Sequence, residues 1–338
     1  NINAGGGGVN RNVIINGAMN VAQRGTSSTG LGASDGYFTC DRWHLDFANT
    51  AGRLTMTQDS SAPVGFANSL KLDCTTADTS IASGEQTTLQ HRIEGQNLQM
   101  FAKGTSSAKP YALSFYVKGN ASATYVAELF DLDNTRVVSK SFSVTTDWAR
   151  VELSFPTDTT GTFDDDNALS LMLNIWLHAG SDFTSGTLGT TWGSKTDANR
   201  AVGISSFFSS TDNTFFITGV QLEVGQNPTE FEHEPVERTL AKCHRYFQVP
   251  LLGNRIDCHR EGGTSAGHYI TYLNEMRATP TLTLTRNSTV FGNVNTGAGS
   301  SGLSAENTNN KGTLLVIFTN GIPEQVGAEV TINAAAEL

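Results

Sequence analysis

The amino-acid sequence predicts an all-β protein, in which a β-sandwich of the jelly-roll type precedes a short helix and a small β-rich C-terminal domain. Composition favours this class, because only 16% of the 338 residues are charged, against roughly 25% in an average soluble domain. Glycine is frequent, with 34 residues, and proline is scarce, with 8. Many short stretches also alternate apolar and polar residues between turn-forming segments, which is typical of a sandwich.

The predicted strands follow one another along the first two thirds of the chain. β-Branched and aromatic residues are enriched in them, since such side chains pack well on a pleated surface. They are Val13–Ile15, Arg42–Phe47, Arg53–Thr57, Ser69–Cys74, Thr88–Ile93, Tyr111–Lys118, Tyr125–Asp131, Ser139–Val144, Ala149–Phe155, Leu169–Leu177 and Phe215–Val224. Later strands are predicted at Tyr269–Asn274, Thr281–Thr285, Thr313–Phe318 and Glu329–Asn333. Between these, the turn-forming residues of Gly292–Lys311 predict an exposed loop.

A short helix is predicted directly after the last strand of the sandwich. Pro235 suits its first position, where a missing N–H costs nothing. Val236, Leu240, Cys243 and Phe247 then recur at spacings of four, three and four, which predicts one apolar stripe. The same spacing is the a/d pattern of a coiled coil, although a single amphipathic helix can also pack on its own domain. The predicted organisation is a Gly-rich linker (1–11), the sandwich (12–231), the connecting helix (232–248) and a β-rich tip (249–338).

Charge and hydropathy argue against several partners. The net charge of -10 disfavours nucleic acid, because phosphate binding requires a basic patch. No apolar run approaches the roughly 20 residues of a membrane helix, so membrane insertion is not predicted. The sequence begins with Asn1 rather than Met, and a trimmed start is expected.

No metal, cofactor or catalytic activity is predicted. The four cysteines form no CxxC pair, and the acidic segments Asp131–Asn134 and Asp164–Asn167 are interpreted as a turn and a solvated loop. The sequence has no nucleophile elbow, phosphate loop or His-Glu-x-x-His motif. No pair of carboxylates is singled out for cleavage of a glycosidic bond.

Six motifs, in their order and spacing, resemble the β-sandwich of carbohydrate-binding modules. They are Asn16-Gly17, Asp41-Arg42-Trp43, Ser69–Leu72, Tyr111–Lys118, Trp148–Val151 and Gly219–Gly225. With the helix, the β tail and the terminal Ala336-Glu337-Leu338, the chain also resembles the distal part of bacteriophage tail fibres and related virion appendages, and Asn12–Gly25 is similar to the start of such modules. Related sandwiches often carry a calcium-binding Asp before the closing strand, but Thr218 and Gly219 stand there, so the resemblance does not extend to that ligand.

The resemblance implies a homotrimeric, non-enzymatic virion subunit that adheres to host-surface polysaccharide and joins other virion tail proteins. Adhesion would be multivalent, since linked weak sites bind tightly through a high effective concentration. Val236, Leu240, Cys243 and Phe247 would form the trimer interface. The alternatives are a purely structural or decoration role in the virion, and a glycan-binding module of a polysaccharide-degrading enzyme.

Aromatic side chains are the candidates for stacking on the apolar faces of sugar rings. The tryptophans interpreted as core residues are Trp43, Trp148 and Trp176. Trp192 instead lies in a Gly/Thr/Ser loop and is predicted to bind glycan, with anchoring of the loop as the alternative. Tyr125 and His178 are the weaker glycan-binding candidates.

Overall fold

The computed structural model describes residues 10–260, 265–286, 303–318 and 325–338. The chain divides into two compact units, one that runs to Thr239 and includes Leu338, and one from Leu240 to Glu337. Among the described residues, no helix combines the length and the apolar character that a membrane crossing requires.

The first unit is built from antiparallel strands. They are β1 (Ser27–Leu31), β2 (Gly36–Tyr37), β3 (Trp43–Ala48), β4 (Arg53–Asp59), β5 (Ser69–Thr76), β6 (Gln86–Glu94), β7 (Tyr111–Gly119), β8 (Ala123–Asp131), β9 (Arg136–Val144), β10 (Ala149–Phe155), β11 (Leu169–Ala179), β12 (Gly193–Ser194) and β13 (Thr214–Val224). A one-turn helix, α1, spans Ser181–Thr184, and 3₁₀ turns lie at Gly95–Asn97, Gln99–Phe101, Asp197–Asn199 and Phe207–Ser209.

These strands form two sheets, which confirms the predicted all-β sandwich. The first sheet has the order β1-β4-β5-β13-β7-β10, and the second has the order β12-β9-β8-β11-β6-β3-β2. One apolar core lies between them, and it joins Leu72 and Phe215 of the first sheet to Leu89 and Leu173 of the second. Each fully buried side chain of this size stabilises the fold by about 1.5–3 kcal/mol.

Strand β11 shows how alternation assigns side chains to the two faces of the second sheet. Leu171, Leu173 and Ile175 are buried in the core. Because successive side chains of a strand point to opposite faces, Asn174 and Trp176 lie on the outer face of the sheet.

The segment predicted as a first strand, Val13–Ile15, is not one, and this prediction was wrong. Its backbone makes irregular contacts instead of pairing as a strand, because the Val13 N–H donates to the Leu222 carbonyl and the Ile14 N–H donates to Asn12 Oδ1, at 3.0 Å each. Gly17 follows, and a Cβ added there would lie 2.1 Å from the Val220 carbonyl oxygen. The Asn16-Gly17 motif therefore allows the backbone to pass close to the closing strand, β13.

The strands described in the second unit are β14 (Phe247–Arg260), β15 (Ser265–Thr271), β16 (Thr281–Arg286), β17 (Leu303–Glu306), β18 (Gly312–Phe318) and β19 (Gln325–Ala335). Within the described residues they form a six-stranded antiparallel sheet in the order β16-β19-β14-β15-β18-β17. The predicted loop Gly292–Lys311 lies outside the described residues up to position 302. Within its later part the prediction was wrong for Leu303–Glu306, which forms β17, whereas residues 307–311 are not part of a strand.

The predicted helix exists as α2 (Val236–His244), but it does not carry the whole apolar stripe. Phe247 opens β14 and pairs with Ala335, so the helix prediction was wrong at its C-terminal end. The Tyr246 N–H donates to the Cys243 carbonyl and forms the turn that follows the helix. Cys243 and Phe247 are buried in the chain itself, whereas Val236 is 49% exposed.

Candidate functional site

Trp192 lies beside the short strand β12 and is half-buried against the main core. Its indole N–H donates to the Pro156 carbonyl at 2.9 Å, and its ring lies 5.6 Å from that of Tyr111. The ammonium of Lys103 lies 5.6 Å from the ring centroid. These contacts match the anchoring alternative of the sequence analysis, and the glycan-binding role stays a prediction.

Tyr125 and His178, the weaker glycan-binding candidates, are both buried. Tyr125 is 4% exposed and its ring packs edge-on against Phe215, with centroids 5.5 Å apart. His178 is 0% exposed and its ring contacts Phe208.

A row of polar side chains crosses the outer face of the second sheet instead. We call this the polar row; its members stand directly opposite one another on five adjacent strands. They are His44, Gln90, Asn174, Glu128 and Ser139. All five are at most 5% exposed, so a sheet face that normally meets water is here covered.

The cover comes from the segment that follows β11. Trp176 packs there with Val126 and Ala201 in a small cluster separate from the main core. The prediction that Trp176 is a core residue was therefore right about its burial and wrong about its location. Arg200 lies across the same face, with its guanidinium carbon 4.8 Å from the Trp176 ring and 5.2 Å from the Phe130 ring.

Glu128 joins this covering segment to the polar row. Arg200 binds the Glu128 carboxylate through two hydrogen bonds of 2.7 and 2.8 Å, and Asn174 Nδ2 donates to it at 2.8 Å. Both oxygens of Glu128 are thus occupied. Burial opposes the charge of Arg200, but the hydrogen bonds and charge of Glu128 outweigh it and raise the pKa of the guanidinium.

Beside the polar row lies an open pocket of about 190 Å³, which we call the outer-face pocket. Its lining residues are Asp46, Gln86, Thr88, Gln90, Phe130, Met172, Asn174, Trp176, Lys195 and Arg200. Two buried polar atoms on these residues, Asn174 Oδ1 and Trp176 Nε1, have no hydrogen-bond partner in the described part of the chain. One is an acceptor and the other a donor, so together they fit a ligand rich in hydroxyl groups.

Burial sets the protonation of two groups at this face. His44 is neutral near pH 7, because burial, and then the nearby charge of Arg92, lowers its pKa to about 3. Burial, and then the charge of Asp35, raises the pKa of the Asp46 carboxyl. Gln86 Nε2 donates to Asp46 at 2.8 Å, so the amide and the carboxyl form one hydrogen-bonded pair in the pocket wall.

The sequence analysis missed this site, although alternation carried a signal for it. Thr88 and Gln90 in β6, like Asn174 and Trp176 in β11, occupy every second position, so each strand carries one polar face. The interpretation of Trp176 as a core residue hid its separate orientation.

No protein-family model matches the chain, and no curated protein matches it. Several solved structures are similar to part of it. One is a CBM4 protein, which is 11% identical; the match covers 63% of this chain and 99% of that one, with a TM-score of 0.33.

A second is the enzymatically active domain of tailspike protein 4 from bacteriophage CBA120, at 13% identity and a TM-score of 0.32. That match covers 64% of this chain but 22% of the tailspike chain. A third is a family 11 carbohydrate-binding module from Clostridium thermocellum, in complex with a β-1,3-1,4-mixed-linked tetrasaccharide. It is 11% identical over 62% of this chain and 98% of its own, with a TM-score of 0.29. Values this low carry no argument about function.

Proposed function

We propose that this chain is a non-catalytic, glycan-binding subunit of a bacteriophage virion appendage, and that the outer-face pocket is its sugar site. One observation carries the proposal for the pocket. Asn174 and Trp176 line this pocket and carry a buried acceptor, Oδ1, and a buried donor, Nε1, that have no hydrogen-bond partner among the described residues, and Gln86, Thr88 and Gln90 add amide and hydroxyl groups to the lining.

The chemistry of the lining suits a sugar. Amide and hydroxyl groups of Gln86 and Thr88 can exchange hydrogen bonds with ring hydroxyls, while Phe130 and Met172 offer apolar surface to the C–H groups. The volume of about 190 Å³ is below the usual range of roughly 300–1,000 Å³ for small-molecule sites, so contact with a short stretch of a longer polymer fits best.

The state of Glu128 supports the proposal of binding without cleavage. Hydrolysis of a glycoside requires one carboxyl to donate a proton and another to act as base or nucleophile. Glu128 is fully buried and already holds Arg200 and Asn174, so it has no oxygen left for either task.

The assignment to a virion appendage is based on the resemblance of the sequence to bacteriophage tail fibres. The proposed trimer is based on the spacing of the apolar stripe residues in and after α2. Of the four stripe residues, exposed Val236 and half-buried Leu240 are the two that remain available for contact between copies. We propose a homotrimer in which α2 contributes these two side chains. Light scattering on the purified chain should give three times the chain mass of 36.1 kDa, and a monomeric mass would contradict the trimer without touching the sugar site.

The sugar site is tested by affinity electrophoresis against a panel of soluble neutral and acidic polysaccharides. Thr88→Val removes a pocket hydroxyl without changing side-chain shape, and Asn174→Ala removes the unpaired acceptor. Thr57→Val, on the outer face of the first sheet, is the matched control. We expect the two pocket variants to lose at least about tenfold in affinity, equivalent to about 1.4 kcal/mol, while the control binds normally. Release of reducing ends by the wild-type chain would contradict a non-catalytic role.

A further inference from the structure

A second polar cluster lies in the first unit, made of residues that do not line the outer-face pocket. Asp78 follows β5, Glu85 precedes β6, and His178 lies near the end of β11. Their exposed fractions are 6%, 5% and 0%. One ligand-type atom from each lies within 4.8 Å of the others, and His178 Nε2 is 3.0 Å from Glu85 Oε2.

The two carboxylates of this cluster lack an ordinary counter-charge. Among the described residues, no Lys or Arg forms an ion pair with Asp78 or Glu85, and His178 is the one basic side chain beside them. Burying unpaired carboxylates is costly. Burial opposes ionisation of Asp78, yet hydrogen bonds from the Ala51 N–H at 2.7 Å and from the Thr50 hydroxyl at 2.9 Å hold its pKa below the usual value.

Neighbouring hydroxyl groups orient the His178 and Asp78 side chains, as hydrogen-bond partners of metal ligands usually do. Ser206 Oγ lies 2.8 Å from His178 Nδ1 and can accept a hydrogen bond from Nδ1–H, so that the lone pair of Nε2, which lies 3.0 Å from Glu85 Oε2, is left to bind a cation. Thr50 fixes the Asp78 carboxylate in the same way. Ser206 also lines an open pocket of about 260 Å³, which offers a path toward His178.

We propose that Asp78, Glu85 and His178 bind one Zn²⁺ ion. One imidazole nitrogen with two carboxylate oxygens is a ligand set that zinc accepts, whereas Ca²⁺ and Mg²⁺ prefer oxygen alone. The ion would neutralise both buried carboxylates. It would also link the segment after β5, in the first sheet, to β6 and β11 in the second, and so stabilise that end of the sandwich.

The test uses the full chain, stripped with a chelator and dialysed. Titration with ZnCl₂ by calorimetry should show one site, and zinc at about 100 times its dissociation constant should raise the melting temperature by about 5–10 °C. His178→Gln should abolish that site and that shift. His44→Gln, which alters another buried histidine, should leave both unchanged. Equal zinc binding by the wild type and His178→Gln, or no binding by the wild type, would overturn the proposal.

A second measurement needs no variant and covers the case in which His178→Gln fails to fold. Crystals of the wild-type chain soaked in ZnCl₂ are measured at the zinc absorption edge. An anomalous peak between Asp78, Glu85 and His178 is expected. Peaks confined to other positions would show adventitious binding and would refute the site.

Discussion

The Nζ of Lys103 lies 2.6 Å from Oδ2 of Asp131, and neither side chain is exposed to solvent. Asp158 Oδ2 lies 3.2 Å from the same ammonium, and the carbonyls of Thr160 and Gly161 accept hydrogen bonds from it at 2.8 Å each. A buried ammonium is thus enclosed by four oxygens, two of them from carboxylates. The lysine supplies the positive charge that this oxygen-rich group of residues requires.

Replacing Lys103 by Met should therefore destabilise the sandwich strongly. The substitution keeps the length of the side chain but leaves the buried Asp131 carboxylate without its partner, which costs about 3–5 kcal/mol. Urea unfolding followed by tryptophan fluorescence measures the change. Lys71→Met is the control, because the Lys71–Asp73 pair is partly exposed and such pairs contribute about 0–1 kcal/mol. Equal losses in the two variants would contradict the role given to Lys103.

Trp192→Ala should lower the melting temperature while affinity for polysaccharide, per folded molecule, stays unchanged. The indole packs on the main core and donates to Pro156, and large-to-small changes of a buried Trp cost about 3–5 kcal/mol, with a half-buried ring at the lower end. Trp148→Ala, which removes another half-buried indole, is the comparison for the change in melting temperature. If Trp192→Ala keeps its melting temperature and loses binding, Trp192 is the glycan-binding residue that the sequence predicted.

Stability should fall as the pH drops below about 6.5, partly because of His44. The unfolded histidine accepts a proton near pH 6.5, whereas the folded one resists it until about pH 3. Protons therefore favour the unfolded state throughout this interval. Urea midpoints at pH 7.5 and pH 5.5 should differ less for His44→Gln than for the wild type. An identical pH dependence in the two proteins would show that His44 does not contribute.

Most strands of the sandwich could be predicted because each carries its own alternation, as in β7 and β11. Strand β14 was missed because it contains Pro250, which reads as a strand breaker; the strand tolerates it where the pairing register shifts, between Gln248 and Leu251. The end of α2 was placed too late, because the spacing of Cys243 and Phe247 suits a helix whether or not the chain turns between them.

The candidate site was harder to predict than the fold. Alternation separates the two faces of β11, but it does not say that residues after α1 cover the outer one. That cover depends on pairing between distant groups, such as Arg200 with Glu128. The polar row likewise depends on the register of strands that are far apart in sequence, and a register of this kind is fixed by the fold as a whole.

The most direct test of the account is an NMR titration that follows the tryptophan indole N–H signals, assigned through single Trp→Phe variants. Trp43 and Trp192 donate to the carbonyls of Asn16 and Pro156, whereas the Trp176 N–H has no partner among the described residues and Trp176 lines the outer-face pocket. Adding a polysaccharide fragment that the chain binds should move the Trp176 signal and leave those of Trp43 and Trp192 in place. Binding that shifts the Trp192 signal and leaves Trp176 unchanged would contradict the assignment of the sugar site to the outer face of the second sheet.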